Sequence, residues 1–268
     1  MTPAEDWIAH YEATDERDRL TAAPGGRLEF IRTQELLARF LPPPPAVILD
    51  VGGAAGIHAA PLATNGYEIH LIDPVPLHVE QASAVPGLAS ATIGDARNLD
   101  RPDASVDAVL LLGPLYHLTE RADRVAALAE ARRVLRLGGV VAAAIISRYA
   151  STLDGLFRGY LRADGFEALV ARDVGEGQHR NPDDVSGWFT TAYCHEPDEA
   201  PAEARDAGLD VEALVAIEGP AWLLPDLARW LNEDRDLLLR TIRRVETAPR
   251  LLGMSPHLLL VATKRAAL

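Results

Sequence analysis

Lysine, cysteine and long apolar runs are what this chain has least of. Of its 26 basic residues only Lys264 is not arginine, and they face 39 acids for a formal charge of −13. The arginines form no patch and are mostly interleaved with acids, as in "EATDERDRL", the pattern of a solvated helix face. Partners with a long phosphate backbone are bound by neutralising phosphates with Lys and Arg, so no nucleic-acid partner is expected. The lone cysteine, Cys194, excludes an internal disulfide and a cysteine-rich zinc cluster, and His195 beside it does not by itself make a catalytic pair. The histidines are too scattered for a metal-ligand spacing, so no metal is expected. No apolar run reaches the roughly 18 residues of a membrane span, and no basic leader precedes a small-residue cleavage site. A cytoplasmic protein without a membrane partner is the expectation.

What is there is ordinary globular material: 48% hydrophobic and 24% charged residues over 268 positions, enough for one large domain or one domain with a lid. "LPPPPA" at 41–46 is the strongest punctuation, because four prolines end whatever helix precedes them and launch the next segment extended. From there apolar runs at 46–51, 67–72, 90–93, 106–113 and 139–146 alternate with helix-like stretches, the rhythm of a parallel α/β sheet. The clearest helix is "ERADRVAALAEARRVLRLGG", with Val125, Leu128, Arg132 and Leu135 at helical spacing and Gly138–Gly139 as its expected stop. "LDVEALVAIEGPAW" and "HLLLVATK" supply two further strand candidates.

The flanks read differently. Residues 1–45 carry a broken apolar stripe (Leu28, Ile31, Glu35, Leu36 to Phe40) and are expected to form a helical lid segment. Residues 148–207 have weak signals and are too long for a plain connection, so they are expected to be an inserted cap or substrate-binding segment. Core segments 46–147 and 208–268 remain.

The chemistry concentrates in "VILDVGGAAGIHAAPLATNGYEIHLID", residues 47–73. A glycine turn between a strand and its helix lets a ligand approach the backbone, and the helix start presents free N–H groups. A dinucleotide would want G-x-G-x-x-G, whereas here Gly52, Gly53, Ala54, Ala55 and Gly56 place the third small residue one position early. Asp50 discriminates more sharply. A carboxylate there would face a pyrophosphate unfavourably but would suit the ammonium of an amino-acid moiety, such as that of S-adenosylmethionine. Asp73, followed by Pro74, ends the second strand where a carboxylate can accept from ribose hydroxyls, and it fits either ligand. In "GDA" at 94–96, Asp95 can accept from an adenine amino group while the Ala96 N–H donates to a ring nitrogen. Each acid also has a plain structural reading, as a cap, a turn residue before Pro74 or an Asx turn. Their joint order favours the cofactor.

On these residues, the stretch 47–147 resembles the class I S-adenosylmethionine-dependent methyltransferases, particularly small bacterial members of the methyltransferase-domain type. The family's first motif, D/E-x-G-x-G-x-G, appears as Asp50-Val51-Gly52-Gly53-Ala54-Ala55-Gly56, with Ala54 in place of the central glycine. "EARRVLRLGG" is similar to the family's "RVLRPGG", with Leu137 in the proline position. The resemblance implies a Rossmann-like seven-stranded sheet, mostly parallel with an antiparallel last strand and helices on both faces. It also implies S-adenosyl-L-methionine as cofactor, held by Asp50, Gly52, Gly53, Ala54, Gly56, Asp73, Pro74, Asp95 and Ala96, and by Leu112 and Gly113 where the fourth strand ends.

In that family the loop leaving the fourth strand faces the transferred methyl group, and here it reads "LLGPLYHLTE", with Tyr116 and His117 as its polar groups. His117 titrates near neutrality and is the candidate base, with helix packing as its plainer reading; Tyr116 would shape the wall. Arg148, Tyr149, His179, Arg180, Trp188, Phe189, Tyr193 and His195 either enclose a flat or carboxylate-bearing acceptor or form a small satellite core. His58 and His78 are expected to be structural. Methyl transfer to an O, N or C atom of a small molecule, or of a peptide, is the function expected. The alternatives are a nicotinamide-dependent oxidoreductase and a non-catalytic cofactor-binding sensor or partner protein. No oligomeric state follows from the sequence.

Overall fold

The computed structural model describes Tyr11, residues 19–182, Val185 and residues 187–266. Five parallel strands come first: β1 (Val47–Val51), β2 (Glu68–Asp73), β3 (Ser90–Ile93), β4 (Val106–Leu111) and β5 (Leu135–Ser147). They are followed by the short β6 (Gln178–His179) and β7 (Ala192–His195), then β8 (Asp210–Ala216) and β9 (His257–Thr263). Ile48, Leu49, Ala108 to Leu111 and Val141 to Ala143 are wholly buried, because helices cover both faces of these strands. The two resulting cores lie on opposite sides of the sheet, one around Leu111, Leu128 and Leu260, the other around Leu37, Ile48 and Leu259.

β3, β2, β1, β4 and β5 lie side by side and parallel, and β9 closes onto β5 antiparallel with β8 beyond it. These seven strands meet the expectation, including the antiparallel "HLLLVATK" strand. β6 and β7 are additional. β5 is 13 residues long and outruns β4, whose pairing ends at Leu111 opposite Ala143. Ile146 and Ser147 then pair with Cys194 and His195 of β7 on the edge that β4 has left, while Ile146 keeps His257 of β9 on its other edge. The β6–β7 hairpin therefore stands over the carboxyl end of β4. Part of the segment expected to be an insert, 148–207, is thus continuous with the sheet.

Two local expectations are corrected. The helix Arg121–Val134 ends before the glycine pair, and β5 begins at Leu135; the shift in register between Val106 and Ala108 takes Gly138–Gly139 into the strand as an irregularity. The helix Pro24–Phe40, in the segment expected to form a lid, packs into the core; residues 1–10 and 12–18 of that segment lie outside the described residues. Its last turns bury Leu36 and Leu37 against β1, β2 and β9, and only its first half reaches the mouth of the sheet. Among the described residues no helix is long and apolar enough to cross a membrane.

Candidate functional site

The chain leaves β1 toward β2 and β3 on one side, and reaches β4 and β5 on the other, so the order reverses between β1 and β4. Open α/β sheets bind ligands at such a point, outside the strands' carboxyl ends. Here that point opens into a cavity of about 370 Å³, within the range of small-ligand sites. The loops after β1 and β4 meet at its floor: a Cβ at Gly52, which has φ +68°, would stand 2.7 Å from Pro114 Cγ. Only glycine fits there without moving the β4 loop.

Of the expected cofactor residues, Asp50, Gly52, Gly53, Ala54, Asp73, Pro74, Asp95, Ala96, Leu112 and Gly113 all line this cavity. Gly56 does not; with φ +84° it turns the loop toward the Ala59–Thr64 helix behind. Ala54 sits at φ +47°, a left-handed conformation that costs a side-chain-bearing residue roughly 1 kcal/mol. The substitution of the motif's central glycine therefore costs backbone strain as well as space. Its N–H donates to Asp73 Oδ2 at 2.9 Å, which holds the loop in place.

The three acids have different surroundings. Asp50 is 1% exposed, and neither of its carboxylate oxygens meets a hydrogen-bond donor. Burial, with a smaller push from Asp73, raises its pKa to about 7. Asp73 is also buried, but it accepts from the Ala54 and Val75 N–H groups and faces His78 Nδ1 at 3.0 Å. Asp95 is half-buried and forms the Asx-type turn that was its plainer reading, accepting from the Arg97 N–H at 2.8 Å and from the Arg97 guanidinium. The Arg97 hydrogen bond lowers its pKa.

Tyr116 and His117 lie in the single-turn helix Pro114–His117 after β4, and both line the cavity. Tyr116 donates to the Leu112 carbonyl at 3.2 Å. His117 Nδ1 lies 3.3 Å from the Thr191 carbonyl, which assigns its proton to Nδ1, and Nε2 lies 3.0 Å from the Tyr11 hydroxyl. The imidazole lone pair thus takes the Tyr11 O–H rather than facing the cavity directly. Tyr11 spans the cavity, its ring edge-on to both His117 and His78.

Of the eight aromatic and basic candidates in 148–207, only Phe189 lines the cavity, stacked 6.0 Å from the His117 ring. The others mostly fasten the hairpin. Arg148 pairs with Glu199, His179 with Asp173 and His195 with Glu203, while Arg124 lies 3.7 Å over the Tyr193 ring. Cys194 is buried and its thiol is pushed up by that burial, as suits a structural residue. Sequence reasoning assigned His58 and His78 to structure, yet both are on the cavity wall, as are Tyr11, Glu29 and His257, which it did not single out. Only the pairing of distant segments shows these five.

Comparison with known proteins agrees with this geometry. Residues 48–139 match a family model described as "Methyltransferase domain". Human methyltransferase-like protein 27 is 40% identical over 88 residues, covering 30% of this chain and 35% of that protein. An uncharacterized methyltransferase of Mycobacterium bovis is 31% identical over 105 residues, 39% of this chain and 42% of that protein. The match thus spans less than half of either relative. Among solved structures, an S-adenosylmethionine-dependent methyltransferase from Methanosarcina mazei superposes with TM-score 0.57 at 17% identity, covering 87% of this chain and 98% of that one. The [4+2]-cyclase SpnF does so with TM-score 0.56 at 16% identity, covering 99% and 93%. At such identities these structures share the fold, and the cyclase shows that the fold alone does not fix the reaction.

Proposed function

We propose that the protein, whose residues 48–139 match the methyltransferase-domain family, transfers a methyl group from S-adenosylmethionine to an oxygen, nitrogen or carbon atom of a small molecule. The observation that carries this reading is Asp50. A buried carboxylate with no donor on either oxygen is expensive, and its raised pKa records the cost. A ligand ammonium would supply both the missing donor and the missing charge. A pyrophosphate would add negative charge beside it, which argues against a nicotinamide cofactor.

The remaining lining fits the same ligand. Asp73 Oδ2, which accepts from the Ala54 N–H alone, keeps a lone pair for a ribose hydroxyl, Asp95 and Ala96 stand at the adenine end, and Leu112 and Gly113 border the reacting end. S-adenosylmethionine supplies a methyl group on a sulfonium that is already a good leaving group, so the protein's task is mainly alignment. The chain's own contribution to proton movement is the Tyr11–His117 pair. The Thr191 carbonyl holds the His117 proton on Nδ1, which leaves Nε2 to draw on the Tyr11 hydroxyl. Tyr11 Oη can then take a proton from a methyl acceptor while passing its own to His117. This refines the sequence expectation of His117 as a base acting alone.

Incubation of the purified protein with S-adenosylmethionine and a metabolite panel, followed by mass spectrometry, tests the proposal. The expected result is a methylated product formed together with S-adenosylhomocysteine. Cofactor binding without turnover across the panel would favour the non-catalytic alternative.

A further inference from the structure

Once the cofactor residues are set aside, one end of the cavity remains, lined by Leu20, Glu29, His58, Ile146 and His257 with Tyr11 above. Ile146 and His257 are cross-strand partners at the carboxyl end of β5, so this end lies directly beyond the β4 loop. It carries more polar machinery than packing requires. His58 Nδ1 lies 3.1 Å from the Gln34 side-chain amide nitrogen, which assigns the His58 proton to Nε2. Burial drops this imidazole's pKa to about 4, so it is neutral. His257 Nδ1 donates to Glu218 Oε1 at 2.7 Å and lies 4.0 Å from Glu29. Burial opposes its charge, but Glu29 and Glu218 raise its pKa to about 9 and keep it an imidazolium. Each ring therefore carries an Nε2–H that no described residue accepts, and both residues line one cavity.

Charge decides what those two donors receive. Glu29 accepts from Arg19 at 3.1 and 3.3 Å, so its carboxylate is already satisfied. Among the described residues around the two rings, Arg19 and His257 balance Glu29 and Glu218. A ligand carboxylate would add a charge beside Glu29, with Glu218 behind His257, and a ligand ammonium would meet an imidazolium and a carboxylate already engaged. A neutral oxygen would accept both N–H groups and leave the balance intact, while Leu20, Ile146, Tyr116 and Phe189 offer apolar walls for the body that carries it.

We propose that His58 and His257 bind a carbonyl oxygen of a neutral, otherwise apolar methyl acceptor, such as an aryl ketone. This assigns the acceptor class for the methyl transfer proposed above and rests on that reading. His58 and His257 orient the acceptor by its carbonyl, in the part of the cavity lined by Leu20, Glu29 and Ile146.

Three probes share a phenol ring and differ in the opposite group: para-hydroxyacetophenone, para-hydroxybenzoate and tyramine. Each is titrated calorimetrically into the whole protein, with and without saturating S-adenosylhomocysteine. The ketone is expected to bind about tenfold more tightly than the carboxylate or the amine. His58→Asn and His257→Asn keep a polar atom at the Nδ1 position, toward Gln34 and Glu218, and remove the Nε2 donor, the second together with the imidazolium charge. They should weaken ketone binding by about fivefold and about tenfold respectively, the second hydrogen bond being charge-assisted. A preference for the benzoate or tyramine, equal binding of all three, binding of none, or a ketone affinity unchanged in both variants overturns the proposal. Should His257→Asn fail to fold, the wild-type ranking and His58→Asn still decide. Absence of a heat signal from S-adenosylhomocysteine itself would instead strike the methyltransferase reading, while the titrations without it continue to test the carbonyl site.

Discussion

Replacing Asp50 with asparagine should stabilise the ligand-free protein while weakening its cofactor binding. The carboxylate's pKa rises from 3.8 to about 7 on folding, chiefly through burial. A raised folded pKa means that protonation favours the fold. The advantage is whole below the unfolded value, near pH 4, and is lost as pH rises through about 7. Every tenfold change in proton affinity is worth roughly 1.4 kcal/mol, so above pH 8 the empty fold carries a penalty of about 4 kcal/mol relative to acid. Asp50→Asn deletes that penalty and keeps the shape. For a chain of this length about 2 °C of melting temperature accompanies each kcal/mol, so a gain of about 8 °C at pH 8 is the upper expectation, shrinking to nothing near pH 4. Calorimetric melts at the two pH values measure it. Titration with S-adenosylhomocysteine should show the opposite effect, a loss of about tenfold to a hundredfold in affinity when the charged partner of the ammonium is removed. Wild-type affinity should fall below pH 7, where the proton competes with the ligand, and the variant should lack that fall. A variant less stable than wild type at pH 8, or one that binds as tightly, would refute the reasoning.

Asp73→Asn preserves shape but weakens the acceptor, and should lower cofactor affinity at least tenfold, as calorimetry can measure; an unchanged affinity would leave Asp73 as the anchor of Ala54, Val75 and His78 only. Tyr11→Phe and His117→Ala should each reduce turnover by a factor on the order of 100 or more with cofactor affinity nearly intact. A normal rate in Tyr11→Phe with a slow His117→Ala would mean that His117 acts without the tyrosine, and normal rates in both would mean that alignment suffices.

The parts legible in the sequence are those written locally. Asp50, the glycine turn and Asp73 fall within one strand–helix–strand unit, where spacing along the chain is spacing in the fold, and their cavity positions follow from that order. "HLLLVATK" could be read as a closing strand because a continuous apolar run needs burial on both faces. The chain hides what two distant segments make together. Tyr11 and His117 are 106 residues apart, and nothing near either announces the other. Glu29, His58 and His257 come from a helix, a loop and the start of the last strand, and each alone is as bland as a solvated or structural residue. The β6–β7 hairpin escaped because β7 has only four residues and its pairing depends on β5 outrunning β4. The strain at Ala54 is a backbone property that residue type alone does not reveal. The cap residues misled for a related reason: arginine, tyrosine and histidine can line a pocket or pair with acids in a buried network, and Arg148, Tyr193 and His195 do the second, with Glu199 and Glu203.

The central claim is that the cavity between β1 and β4 is built for an aminoacyl-adenosine. Calorimetric titration of the purified protein with S-adenosylmethionine, its demethylated product and NAD tests it most directly. Saturable binding of the first two at one site and no signal from NAD is the predicted result. Tight binding of NAD with no response to S-adenosylmethionine would contradict the account.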